Sequence, residues 1–341
     1  MKKKTILPLI LILAFSACEN GSDTKKETLN KLNVFVLCEG NFGQSNASLW
    51  SLDPEMEEVQ GPIYKNITGN SLGDIGQSMA LRDNRLWVIN NNTHTIEIFL
   101  LDEEILHENS ISLPGSSPRY MTFLNDKAYI TCWYIPGIIV MDANSQTVID
   151  TIYLDGMPEM IVEYDGYLYT GLIMNADWSS GTHLLKISAE GSIVNTYDVI
   201  KGPDQLLVKD DELYVTSTYY DEAYNSFTGT SRINLTNDEI ITKDHGAALP
   251  GQDMLILKNR VYRVFEGGVV PVNNDLSLNL SEKIGNEAAL YSAAAQGDKL
   301  FFGLTDFQAP DEVKIFDTQA VLLNSYQVGA LPGAFLFYES K

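Results

Sequence analysis

Between Gly73 and Asp102 the chain alternates apolar and polar positions in three short runs. The first centres on Met79–Leu81, the second is Leu86-Trp87-Val88-Ile89, and the third runs from Thr95 to Leu101. Asp83-Asn84 separates the first two, and Asn90-Asn91-Asn92-Thr93 separates the second from the third. Period-two hydrophobicity broken by Asn, Asp and Gly predicts antiparallel strands joined by hairpins. Three such strands alone would leave an apolar face in water, and the rest of the chain repeats the unit.

The clearest marker of the repeat is an apolar–aromatic pair that opens the second strand. It recurs as Val34-Phe35, Leu86-Trp87, Ala128-Tyr129, Leu168-Tyr169, Leu213-Tyr214, Val261-Tyr262 and Leu300-Phe301. A turn rich in Asp, Asn or Gly precedes each pair after the first: Asp83-Asn84, Asn125-Asp126, Asp165-Gly166, Asp210-Asp211, Lys258-Asn259 and Gly297-Asp298. The preceding strand is usually introduced by Gly, Pro or Gln, as in Ser117-Pro118, Met157-Pro158, Gly202-Pro203 and Gly251-Gln252. Seven copies at a period of roughly 40–50 residues predict the blades of an all-β propeller. A pair of β-sandwiches, the competing architecture, would leave the recurrence to chance.

The ends of the chain set the blade count. Leu331-Pro332-Gly333-Ala334-Phe335-Leu336-Phe337-Tyr338 reads as a first strand with no second strand after it. Val34-Phe35 opens a second strand with no first strand before it. Joining the two completes one blade from both termini and removes the exposed edges. The expectation is a closed seven-bladed β-propeller over residues 32–341.

The first 31 residues do not follow the repeat. Lys2, Lys3 and Lys4 precede an apolar stretch from Ile6 to Phe15, and Ser16-Ala17 leads to Cys18. The run is short for a membrane span and has the flanks of a signal peptide. Small residues before a cysteine resemble a bacterial lipobox, so residues 1–17 are expected to be removed and Cys18 lipidated. Residues 18–31 are polar and free of aromatics, which predicts a flexible tether. Glu19, Ser22 and Asp23 loosely resemble the export tether of surface lipoproteins. The expected location is the outer face of the outer membrane, with contact to the membrane through the lipid alone.

Charge and cysteine content narrow the partners. The formal charge is −22, and loss of the lysine-bearing leader makes it more negative. Nucleic-acid binding needs clustered Lys and Arg, which this balance opposes. Cys38 and Cys132 both end second strands, two repeats apart, too distant for a disulfide. They are expected to be buried or pocket-lining thiols.

Catalytic motifs are missing from the sequence. His94, His107, His183 and His245 show no metal-binding spacing. There is no Gly-x-Ser-x-Gly elbow, phosphate-cradling loop or dinucleotide fingerprint. Most carboxylates lie in turns, where Asp bonds its own backbone. The expectation is a binding protein with no cofactor or metal, not an enzyme.

Binding has the stronger case. In a propeller the loops between second and third strands, and those leading into first strands, meet on one face. The first set here, opening with Glu39-Gly40, brings Asn41, Phe42, Asn91, Trp133, Tyr134, Asn175, Trp178, Tyr219, Tyr220 and Phe307. The second set brings Gln77 and Arg119, with Asp74, Glu159, Asp204, Gln205, Gln252 and Asp253. Large rings beside amides suit a bulky amphipathic small molecule, the rings supplying area and the polar groups orientation. Arg119, the one cation of the second set, is the expected anchor for an acceptor.

Val34 to Gly43 (VFVLCEGNFG), Asn46-Ala47-Ser48-Leu49 and Leu72 to Met79 (LGDIGQSM) carry a resemblance. They are similar to YVTN-type seven-bladed propeller surface lipoproteins of gut bacteria, over nearly all of the mature chain. That group includes surface cobalamin-binding lipoproteins, which cover a TonB-dependent outer-membrane transporter. The resemblance implies capture of cobalamin or a related corrinoid and delivery to such a transporter. The family pattern has Asn where this chain has Cys38. A glycan- or peptide-binding propeller and a propeller lyase or hydrolase remain alternatives.

Overall fold

The computed structural model describes residues 32–247 and 253–339. The expected leader, Cys18, the tether and Gln252 lie outside the described residues. Seven antiparallel sheets form an all-β propeller, six with four strands and one with three. Blade I closes the ring: its inner strand, Pro332–Glu339, pairs with Leu32–Cys38 in the register Val34↔Phe337 and Val36↔Phe335. Ser48–Asp53 and Glu58–Gln60 complete that blade. The pairing expected from the two termini is therefore present. The inner strands of blades II to VII are Gly76–Arg82, Pro118–Leu124, Met157–Tyr164, Pro203–Lys209, Met254–Leu257 and Leu290–Gln296.

The residues that marked the repeat also build the core. Phe35, Trp87, Tyr129, Tyr169, Tyr214, Tyr262 and Phe301 are all buried. Each packs into the blade that follows its own. Phe35 lies with Leu86, Val88 and Phe99 of blade II, and Trp87 with Ile130 and Met141 of blade III. Tyr129 meets Leu168 and Ile187, and Tyr169 meets Leu213 and Ile233. Tyr214 contacts Val261, Tyr262 contacts Phe302, and Phe301 returns to Val34, Val36 and Leu52 of blade I. A buried aromatic of this kind contributes about 3–5 kcal/mol by the cost of its truncation. The ring is thus sealed seven times by one sequence position.

The turns between inner and second strands have a physical cause too. Asp83, Asn125, Asp165, Asp210, Lys258 and Gly297 have φ between 48° and 58°, the left-handed region that Asp, Asn and Gly tolerate. Two features break the repeat. A short helix, Ile63–Thr68, follows blade I and ends at Gly69 with φ 78°. Among the described residues blade VI keeps three strands, Met254–Leu257, Arg260–Phe265 and Gly268–Pro271. In place of a fourth are two isolated bridges, Val269↔Ile284 and Val272↔Leu278.

Candidate ligand-binding face

The two loop sets do meet on one face, and hydrogen bonds tie them together. The Gly43 amide donates to both Asp74 carboxylate oxygens at 3.0 and 3.1 Å, and Asn92 Nδ2 donates to Asp74 at 2.6 Å. Trp133 N–H reaches Ser117 O, and Thr218 N–H reaches Gly202 O. Asn41 Nδ2 bonds Phe307 O at 3.0 Å, joining blades I and VII. Asn91 Nδ2 bonds Ser117 Oγ and Pro118 O, both at 2.9 Å. Asn175 Nδ2 closes its own loop on Ser179 Oγ at 2.9 Å. These three amides hold the shape of the face.

The aromatic set divides by exposure. Phe42, Tyr134, Trp178, Tyr220 and Phe307 are 58–76% exposed and come from five different blades. Tyr224, which shares the blade V loop with Tyr220, is 87% exposed. Trp178, Tyr224 and Phe307 have φ of 68°, 61° and 67°. That conformation costs a bulky residue on the order of 1–3 kcal/mol, and such strain clusters at binding sites. Two expected contacts play a supporting part instead. Tyr219 is buried, stacked on Phe227 at 5.5 Å with its hydroxyl bonded to Asp244. Trp133 is half-buried, its Nε1 donating to Pro158 O at 3.1 Å.

An axial cavity of about 700 Å³ opens along the inner strands, and none of the five exposed rings is among the residues that line it. Its upper wall is made by one position on each inner strand: Gln77, Arg119, Glu159, Asp204, Asp253, Tyr291 and Gly333. A β-bulge or register shift falls at this position in every blade except VI. Bulges re-aim side chains, and here they turn polar groups inward on strands that are otherwise apolar. At the seventh position Gly333 has no side chain, and Glu39 from the end of Leu32–Cys38 fills the space. A Cβ on Gly333 would stand 2.2 Å from Glu39 Oε1. Lower down, Met79, Leu207, Phe335 and Phe337 make the wall apolar.

Arg119 is the hub of this ring. Its Nε donates to both Glu159 oxygens at 3.0 and 3.1 Å, Nη2 also bonds Glu159, and Nη1 bonds Gln77. Its guanidinium lies over the Trp133 ring at 4.1 Å. Burial alone would lower the Arg119 pKa, but the Glu159 charge outweighs it and the group is held above its ordinary value. Among the described residues the other three carboxyls have no guanidinium hydrogen-bonded to them. Burial pushes Glu39 up to about 7, against the hydrogen bond from Tyr291 Oη at 2.9 Å. Burial and then the Glu159 charge push Asp204 up to about 7, and burial does the same to Asp253. Tyr120 and Tyr291 are pushed far up by burial, so both stay neutral donors.

The histidines stay out of the cavity: His94 accepts from Ser117 N–H, His107 pairs with Glu97, His183 with Asp198, and His245 bonds Thr230. Among the described residues no cluster of His, Cys, Asp and Glu is arranged to hold a metal ion. Cys38 and Cys132 are buried and unpaired with each other; burial pushes the Cys38 thiol far up and that of Cys132 up to about 12. Cys38 packs with Val34, Val36 and Phe301 beneath the face. Sequence reasoning named Gln77, Arg119, Glu159, Asp204 and Asp253, placed Glu39 in its loop without choosing it as a contact, and did not name Tyr291. The available signal was position: every member from an inner strand is the residue at the strand's mouth end.

No family model matches the chain, and none of the curated proteins matches it. Solved structures share the fold. A 6-phosphogluconolactonase candidate from Bacteroides fragilis superposes with a TM-score of 0.63 at 12% identity, covering 91% of this chain and 98% of that one. Virginiamycin B lyase from Staphylococcus aureus gives 0.56 at 15% identity over 74% and 84% of the two chains. A dihydro-heme d1 dehydrogenase, NirN, gives 0.57 at 11% identity over 91% and 75%. At such identities the likeness establishes the propeller and nothing finer.

Proposed function

We propose that the chain is a lipid-anchored surface protein that binds a corrinoid across its aromatic face and passes it to a TonB-dependent outer-membrane transporter. One observation carries the reading. Five large rings from five blades are held in water on the loop face at the mouth end of the inner strands, three loops on that face keeping a bulky residue at positive φ. Isolated exposed apolar residues need no explanation, but a ring of them about one mouth marks a binding surface. A corrinoid is a broad disc with an amide-bearing rim, which matches rings outside and acceptors inside. The resemblance of residues 34–49 and 72–79 to cobalamin-binding surface lipoproteins supports the same ligand. Binding without chemistry is the reading, and cofactors have no part in it.

The test is loss of affinity confined to one face. Trp178→Ala and Tyr134→Ala should each weaken cobalamin binding by about 1–3 kcal/mol, the range for aromatic anchors. Asn144→Ala, on an exposed turn of the opposite face, should leave it unchanged. Equal effects on both faces, or none on the first, remove the site. Retention on polysaccharide gels without corrinoid uptake replaces this reading with the glycan one.

A further inference from the structure

The polar ring of the cavity is unbalanced. Glu39, Glu159, Asp204 and Asp253 face it with one guanidinium, Arg119. Glu159 takes that guanidinium, whose remaining N–H edge goes to Gln77 and whose face is covered by Trp133. The other three carboxyls have neutral partners. Among the described residues Glu39 accepts from Tyr291 Oη, Asp204 from Gln205 Nε2 at 3.1 Å, and Asp253 from the Ala293 amide at 2.8 Å. A carboxylate offers about four acceptor sites, so most of their capacity is directed elsewhere. Glu39 in particular is built in: blade I gives up a side chain at Gly333 so that a carboxylate from the neighbouring strand can reach the axis. The cavity, about 700 Å³, is large enough to receive part of a ligand, and Met79, Leu207, Phe335 and Phe337 make part of its wall apolar.

We propose that this axial cavity is a charge-selective subsite that takes a hydrogen-bond-donating arm of the ligand, an amide or ammonium, and rejects a carboxylate of the same shape. The inference rests on the corrinoid reading and assigns its specificity to Glu39, Asp204 and Asp253. An amide N–H₂ finds unfilled acceptors on three sides. A carboxylate in the same place meets like charges, and Arg119 cannot turn to it without leaving Glu159 uncompensated.

Cobalamin and its monocarboxylic acids, each with one peripheral amide hydrolysed, are the probes. Calorimetry above neutral pH should show at least one acid bound tenfold or more weakly than cobalamin. The Glu39→Gln, Asp204→Asn, Asp253→Asn protein, checked for an unchanged circular dichroism spectrum, should bring that acid within about threefold of cobalamin, the like-charge term having gone. Equal affinity of the parent for cobalamin and every acid overturns the subsite and leaves the corrinoid reading intact. Discrimination that persists unchanged in the triple variant also overturns it. Absence of heat with every corrinoid removes the reading and the subsite together.

Discussion

Asp204 provides a test of the ring that needs no ligand. An unfolded aspartate ionises near 3.8, whereas the native group ionises near 7, because burial and then the Glu159 charge oppose its ionisation. Between those values the native state holds a proton that the unfolded chain has released. Stability from this group is therefore greatest at low pH, falls as pH rises through the window, and is fully lost above about 7. A shift of about three units corresponds to roughly 4 kcal/mol. Asp204 keeps some exposure to the cavity and shares its protons with Glu39 and Asp253, so about 1–3 kcal/mol is the working figure for one site. Asp204→Asn keeps the shape and an acceptor for Gln205 while removing the charge. Urea unfolding of variant and parent should differ by that amount, the variant more stable, at about pH 8; the gap should shrink to roughly a third to a half of that at about pH 5 and close only below about pH 4. Both proteins carry His245, which burial holds down to about 4 and which acid therefore penalises equally in each. A variant less stable than the parent at the higher pH, or one with the same advantage at both, refutes the argument.

Two further outcomes concern the frame of the molecule. Deleting residues 331–341 removes the inner strand of blade I and leaves Leu32–Cys38 and Phe301 without their partners. Cooperative unfolding should be lost or the melting point should fall by many degrees, and an unchanged melt would contradict ring closure. Cys18→Ser should move the protein from the membrane fraction to the soluble one. Continued membrane attachment, or an unmodified Cys18 by mass spectrometry of the parent, would contradict lipidation.

The sequence exposed those parts of the fold that depend on repeated burial. Phe35, Trp87, Tyr129 and their four equivalents are visible because one packing demand, sealing each blade to the next, recurs seven times. Ring closure is visible because the ends carry complementary halves of a single repeat. The short helix Ile63–Thr68 is not visible, since six residues are too few to display a helical period. The missing fourth strand of blade VI is hidden likewise, because residues 273–284 form local turns and bridges instead of a repeating pattern.

The site was legible by face and less so by residue. Tyr219 and Tyr220 are neighbours in one strand, so alternation sends the first into the core and the second to solvent. Composition alone weighs them equally. Asn41, Asn91 and Asn175 look like ligand donors, yet the first two amides go to neighbouring loops and the third closes its own, because loop backbone groups must be satisfied. Glu39 was visible as a loop residue, but its place at the axis was hidden, because it depends on a glycine almost three hundred residues away in sequence. Arg119, expected as an anchor for the ligand, does line the cavity, but its charge is already answered by Glu159.

Titration of cobalamin into the purified mature domain tests the central claim most directly. One molar equivalent should bind with measurable heat and a change in the visible spectrum of the corrin. Competition by cobalamin analogues that retain the amide rim, together with loss of heat in the Trp178→Ala, Tyr134→Ala double variant, should locate the ligand on the aromatic face. A domain that is folded by circular dichroism yet gives neither heat nor spectral change at saturating cobalamin would contradict the account.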